Sequence, residues 1–126
     1  MIEQIMYVQI PVKNIRRSVA WYRDVLELQF IWHMKNEKLA QLNFSSGQML
    51  FLLESKDASP IQFEQNGREH GVIGLQTIDI YQLYERLKSY GIQVTEIDDD
   101  GQGNLFLDFT DIDGNRFNVQ CDASNN

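Results

Sequence analysis

The chain says the same thing twice, and that repetition constrains its fold more than any single motif. The stretch "IMYVQIPV" (5–12) is apolar with mild alternation and predicts a strand ending at Pro11 and Val12. Asn14 is placed to cap a helix whose apolar face carries Ile15, Val19, Tyr22 and Leu26, at spacings of four, three and four. Leu28 to Met34, Leu39 to Phe44 and Met49 to Leu53 follow as strands, separated by "KNEK" and "SSGQ". About 65 residues further on the order returns. "GVIGLQTI" is a strand, and Asp79 starts a helix with Gln82 three residues on, as in a capping box. Ile80, Leu83, Leu87 and Tyr90 supply its apolar face and Gly91 stops it. "IQVTEI", "NLFLDFT" and "NRFNVQ" are three more strands, separated by the acidic "DDDGQG" and by "DIDG".

Two βαβββ units in 126 residues predict an α+β protein: a curved, mixed, mostly antiparallel sheet around a cleft, with one helix on the outside of each unit. Residues 1–126 read as one domain, with units at 1–54 and 70–121, a polar linker over 55–69 containing Pro60 and Gly67, and a frayed tail "CDASNN". The net charge of −7 argues against nucleic acid and anionic membrane as partners. A single cysteine, Cys121, allows no disulfide within one chain and reads as an inert thiol. The first residues show no basic segment followed by a long apolar one, so a cytoplasmic protein is expected.

Two segments go further. "IPVKNIRRSVAWYRDVLEL" (10–28) is close to the pattern V-x-D-x-x-x-S-x-x-F-Y-x-x-x-L-G-L, and "DIDGNRFNV" (111–119) is close to one beginning D-P-D-G-N. With the repeat, they resemble the vicinal oxygen chelate superfamily, which comprises glyoxalases, bleomycin-resistance proteins and extradiol dioxygenases. Glu27 stands where that pattern has glycine; a left-handed backbone there would cost about 1 kcal/mol. Ile112 replaces the usual proline. Val12, Ser18 and Trp21 belong to the seating of the first helix, and Asp113, Gly114 and Asn115 to a tight turn.

The resemblance implies where a metal would sit, on the first and last strands of each unit. The corresponding positions are Tyr7, Phe51 or Leu52, Val72 and Asn118. A phenol, apolar side chains and a neutral amide are poor ligands for a hard divalent ion. No metal and no cofactor are therefore expected. A metal-dependent lyase, thiol transferase or dioxygenase would need Glu54 and either His70 or His33 to face inward. A metal-free enzyme would use Asp108, Arg116 or His33 as acid or base.

Strand parity then selects the lining. Tyr7 facing inward brings Gln9, leaving Met6, Val8 and Ile10 on the helix side. Val72 brings Gly74 and Gln76, and Asn118 brings Arg116 and Gln120. Asp108 joins them because Leu107 and Phe109 take the core side. On the second strand Trp32 with Phe30 is favoured over His33 with Ile31. The candidate ligand-binding residues are thus Tyr7, Gln9, Trp32, Gln76, Asp108, Arg116, Asn118 and Gln120, with no catalytic set. They suit a small-molecule binding protein for a planar aromatic ligand, similar to the metal-free drug-sequestering branch of that superfamily, which acts as a homodimer.

Overall fold

The computed structural model describes residues 1–123; residues 124–126 of the expected tail lie outside the described residues. In the first compact unit, Met1–Ser59, β1 (Tyr7–Val12) leads into α1 (Ile15–Val25), then β2 (Gln29–Met34), β3 (Leu39–Asn43) and β4 (Met49–Glu54). The sheet order is β1-β4-β3-β2, with β1 and β4 parallel and the other pairs antiparallel. In the second, Pro60–Asn126, a hairpin of β5 (Phe63–Gln65) and β6 (Arg68–His70) precedes β7 (Ile73–Gln76), α2 (Ile80–Ser89), β8 (Asp98–Asp99), β9 (Leu105–Thr110) and β10 (Arg116–Cys121). Its sheet runs β7-β10-β9-β8, with β7 and β10 parallel. The repeat is therefore a repeat of topology.

Both helices start at the expected caps. The Asn14 side chain accepts from the Arg17 N–H at 3.0 Å, and Asp79 accepts from the Gln82 N–H at 3.0 Å. The buried stripe of α1 is Ile15, Ser18, Trp21, Tyr22 and Val25. It is centred away from Val19 and Leu26, which are only half-buried. Tyr22 is wholly buried with Ile10, Val12, Leu42, Leu50 and Leu52. Each such side chain contributes about 1.5–3 kcal/mol by leaving water. In the second unit the core is Ile80, Leu87, Leu107, Phe109, Phe117 and Val119, with the Phe109 and Phe117 rings stacked at 5.3 Å. Tyr90, expected on the apolar face of α2, caps its end and is exposed.

The "DIDGN" segment is a turn for the reasons its residues suggest. Asp111 accepts from the N–H groups of Asp113 and Asn115 at 2.8 and 2.9 Å, and its other oxygen accepts from the Asn115 amide at 2.9 Å. Gly114 takes φ of 88°, a conformation with little cost only for glycine. Glu27 does adopt the left-handed conformation, at φ 59°.

Four expectations need correction. The polar stretch 55–69 holds β5 and most of β6; Asn66 and Gly67 at positive φ form the turn between them. "IQVTEI" is not a continuous strand. It touches β9 through one bridge, Val94 to Phe109, and the regular ladder forms later, at Asp98–Asp99. Met6 lies before β1 and is exposed rather than packed on the helix. Cys121 belongs to β10, not to a tail.

Candidate functional site

In each unit one sheet face packs on its helix and the other is open. On the first sheet, cross-strand register puts Trp32 beside Gln41, Gln41 beside Phe51, and Phe51 beside Gln9. Tyr7 stacks on Phe51 with ring centres 4.4 Å apart and planes 16° from parallel, and Trp32 tilts against Phe51 at 5.7 Å. Gln41, between Trp32 and Phe51 in the register, is only 8% exposed and donates to Asn43 at 2.8 Å. Tyr7 itself is 41% exposed, so its ring is available to solvent or a ligand. Phe51 is therefore the β4 residue on the open face, whereas Leu52 is fully buried on the helix side.

Phe30 does not accompany Trp32. The β2–β3 register slips between them, so that Phe30 pairs with Leu42 and His33 with Ala40. Leu42 and Ala40 are core residues facing α1. Phe30 and His33 thus share the helix side while Trp32 takes the open side. Simple alternation cannot anticipate this, because a bulge adds one residue and resets parity. Glu54 likewise turns to the helix and accepts from the Ile15 N–H at 3.1 Å. A carboxylate at a helix N-terminus meets unpaired N–H groups and the positive end of the dipole.

On the second sheet, Asn118 lies between Gly74 and Asp108, and Gln120 between Gln76 and Phe106. Asn118 donates to Asp108 at 2.8 Å. Arg116, with its side chain 13% exposed, reaches the other Asp108 oxygen at 3.4 Å, Glu69 at 3.2 Å and Gln62 at 3.4 Å. Gln76 and Gln120 both donate to Asp122, at 2.7 and 2.8 Å. Val72 precedes β7 and is exposed. A cleft of about 480 Å³ opens over Asp108, Arg116 and Asn118, walled by Glu69 and His70 of the hairpin and by Asp98 and Phe106. Its size is in the range of small-molecule sites.

The five predicted residues of this unit thus fall into two hydrogen-bonded groups, Asp108–Arg116–Asn118 and Gln76–Gln120. Tyr7, Gln9 and Trp32 share the open face of the other sheet. Sequence reasoning missed Gln62, Glu69 and Asp122, whose roles depend on partners in separate strands, and the buried Gln41 between Trp32 and Phe51. His70 does not stand alone, since its ring stacks on Phe63 at 5.2 Å.

Both Asp108 oxygens are engaged, and the Arg116 charge is offset by Asp108 and Glu69. The cleft wall is therefore a prearranged set of donors and acceptors rather than a free base with a nucleophile. Two perturbed groups lie elsewhere. Asp100 is held below the usual carboxylate range by hydrogen bonds from the Asn104 side chain and then from the Gln102 N–H. Tyr84 is pushed up by desolvation and then by its hydrogen bond to Glu96.

Paired βαβββ units with open faces on the sides away from the helices define the class. The Glyoxalase/Bleomycin resistance protein/Dioxygenase superfamily matches residues 4–119, and the chain belongs to it. No curated protein matches the sequence. Among solved structures it is similar to an integron cassette protein from the mobile metagenome of the Halifax Harbour sewage outfall. The two share 20% identity over 95% of this chain and 99% of that one, with a TM-score of 0.77. It is also similar to a glyoxylase/bleomycin resistance protein/dioxygenase domain from Frankia sp. EAN1pec, with 18% identity, coverage of 96% and 98%, and a TM-score of 0.74. The fosfomycin resistance protein FosX from Listeria monocytogenes shares 17% identity over 98% and 96% of the chains, with a TM-score of 0.79. FosX has also been crystallised with Mn(II) and sulfate.

The chain's own residues do not fit a resident divalent ion. Position by position, Tyr7, Phe51, Val72 and Asn118 offer one phenol, two hydrocarbons and one amide already donating to Asp108. Among the described residues no three His, Cys, Asp or Glu side chains gather at metal-binding distance. Nor is any helix among them long and apolar enough to cross a membrane.

Proposed function

We propose that the protein is a metal-free small-molecule binding protein of the superfamily, which captures a planar aromatic compound, neutral or cationic, without transforming it. The observation that carries this reading is the ring platform of Tyr7, Phe51 and Trp32 on the open face of the first sheet. Stacking on such faces is worth about 0.5–1.5 kcal/mol per pair beyond burial. A cation over a ring gains a comparable amount. The engagement of Glu54 with α1 and the turning of His33 to the helix side support the metal-free reading, because these are the side chains a metal site would have to recruit. The cleft of the second unit, taken by itself, offers polar groups for recognition in Asp108, Arg116 and Asn118. A cytoplasmic homodimer is part of the proposal, two-fold symmetry being the commonest closed assembly.

Thermal shift with a panel of acridinium and quinolinium compounds tests it, since a ligand that binds only the folded state raises the melting temperature. Tyr7→Ala and Trp32→Ala should remove the shift. Stabilisation by multiply anionic compounds that is lost on Trp32→Ala would refute the ligand class. Absence of any stabilisation by the panel would refute the platform as a binding site. Light scattering should give twice the chain mass at micromolar concentration, and a monomer mass would exclude the dimer.

A further inference from the structure

The same register slip that separates Phe30 from Trp32 builds a second concavity on the opposite side of the first sheet. On α1, Arg16 and Arg23 are seven residues apart, so they lie on one face about 10 Å apart along the axis. Val19 and Ala20 lie between them and form a low saddle. Phe30 and His33 of β2 face this saddle because the bulge puts both on the helix side, and Lys35 of the following turn closes the end. The groove is shallow and open to solvent, with a volume of about 420 Å³. The Phe30 ring forms part of its floor, 37% exposed, with the Arg23 guanidinium 5.8 Å from the ring centre.

No salt bridge ties up the cationic side chains of this groove: among the described residues neither Arg16, Arg23 nor Lys35 has a carboxylate at salt-bridge distance, in contrast to Arg116 with its two. The chain as a whole is acidic, but the charge is segregated. Residues 1–59 carry seven Lys and Arg against six Asp and Glu, and residues 60–126 carry four against twelve. At physiological ionic strength the Debye length is about 8 Å, so an ion in the groove responds to these neighbours far more than to the net charge of the chain.

We propose that the groove between α1 and β2 binds a small organic anion with an apolar or aromatic body. The anionic group lies between Arg16, Arg23 and Lys35, and the body rests on Phe30, Val19 and Ala20. Guanidinium groups favour this role because they present paired N–H donors to a carboxylate or phosphate. The site is separate from the Tyr7–Phe51–Trp32 platform, which lies on the other face of the same sheet, and it does not depend on the reading given to that platform.

Calorimetric titration of the full chain with phenyl phosphate tests the assignment, with inorganic phosphate and phenol as comparisons. Saturable binding of one phenyl phosphate per chain is expected, tighter than either comparison, with amide resonance changes confined to residues 16–35. The double variant Arg16→Ala/Arg23→Ala should weaken it at least about tenfold, through loss of charge-assisted hydrogen bonds. The altered arginines are exposed, so the variant should melt within a few degrees of wild type. Trp32→Ala should leave this binding unchanged, whatever it does to aromatic cations. The proposal is overturned if phenyl phosphate shows no saturable heat below about 10 mM, a concentration at which even weak sites fill. It is also overturned if the double variant binds like wild type, or if inorganic phosphate binds as tightly as phenyl phosphate.

Discussion

Gly71→Ala offers the sharpest test of how β10 is held. A Cβ on Gly71 would stand 2.7 Å from the Asn118 nitrogen, 2.8 Å from the Phe117 carbonyl carbon and 3.0 Å from the Arg116 oxygen. All three atoms are backbone, so no side chain can swing aside and the strand itself must move. Forcing an extra methyl group into such a site costs about 1–3 kcal/mol. The rigidity of the neighbours argues for the upper part of that range, about 2–3 kcal/mol. For a chain of this size that lowers the melting temperature by roughly 6–15 °C. The displaced residues carry the Asp108–Arg116–Asn118 group, so the Asn118 side-chain amide resonances should shift as well. Gly74→Ala is the control, because a Cβ there meets nothing within 4 Å. It should be neutral, or stabilising by up to about 1 kcal/mol through a less flexible unfolded chain. Urea denaturation of both variants decides the matter. If Gly71→Ala lies within about 0.5 kcal/mol of wild type, the ordinary scatter of surface changes, the close approach is not what requires glycine.

Other consequences are equally direct. Glu27→Gly removes the left-handed strain at φ 59°, offset in part by a more flexible unfolded chain, and should raise the unfolding free energy measured in urea by about 0.5–1 kcal/mol; a decrease would show that other contacts of Glu27 outweigh the strain. Asn115→Ala leaves the buried Asp111 carboxylate and the Ile61 N–H without their amide partner, and should cost about 2–3 kcal/mol, with faster amide exchange at Ile61. Protein dialysed against Zn²⁺, Ni²⁺ or Mn²⁺ should retain well under one ion per chain in elemental analysis; one tightly held equivalent, lost on Asn118→Ala, would defeat the metal-free proposal.

What the sequence determined by itself was local or periodic. Asn14 and Asp79 start helices because their side chains accept N–H groups three residues away, and that chemistry is complete within one turn. Asp111, Gly114 and Asn115 specify their turn in the same way. Doubling of the strand–helix–strand pattern exposed the two units, and parity placed Tyr7 with Gln9, and Asp108 with Arg116 and Asn118. Tertiary structure decided what depends on register between distant strands. The bulge after Phe30 sent Phe30 to the helix side, away from Trp32, and the β1–β4 register chose Phe51 over Leu52. The Ile15 N–H drew Glu54 towards α1, and Arg116 gathered Gln62 and Glu69 from a stretch that reads as polar linker. Alternation along a strand is a property of one chain segment, whereas a register slip or a partner 47 residues away is set by the packing free energy of the whole unit. No pattern within the segment encodes it.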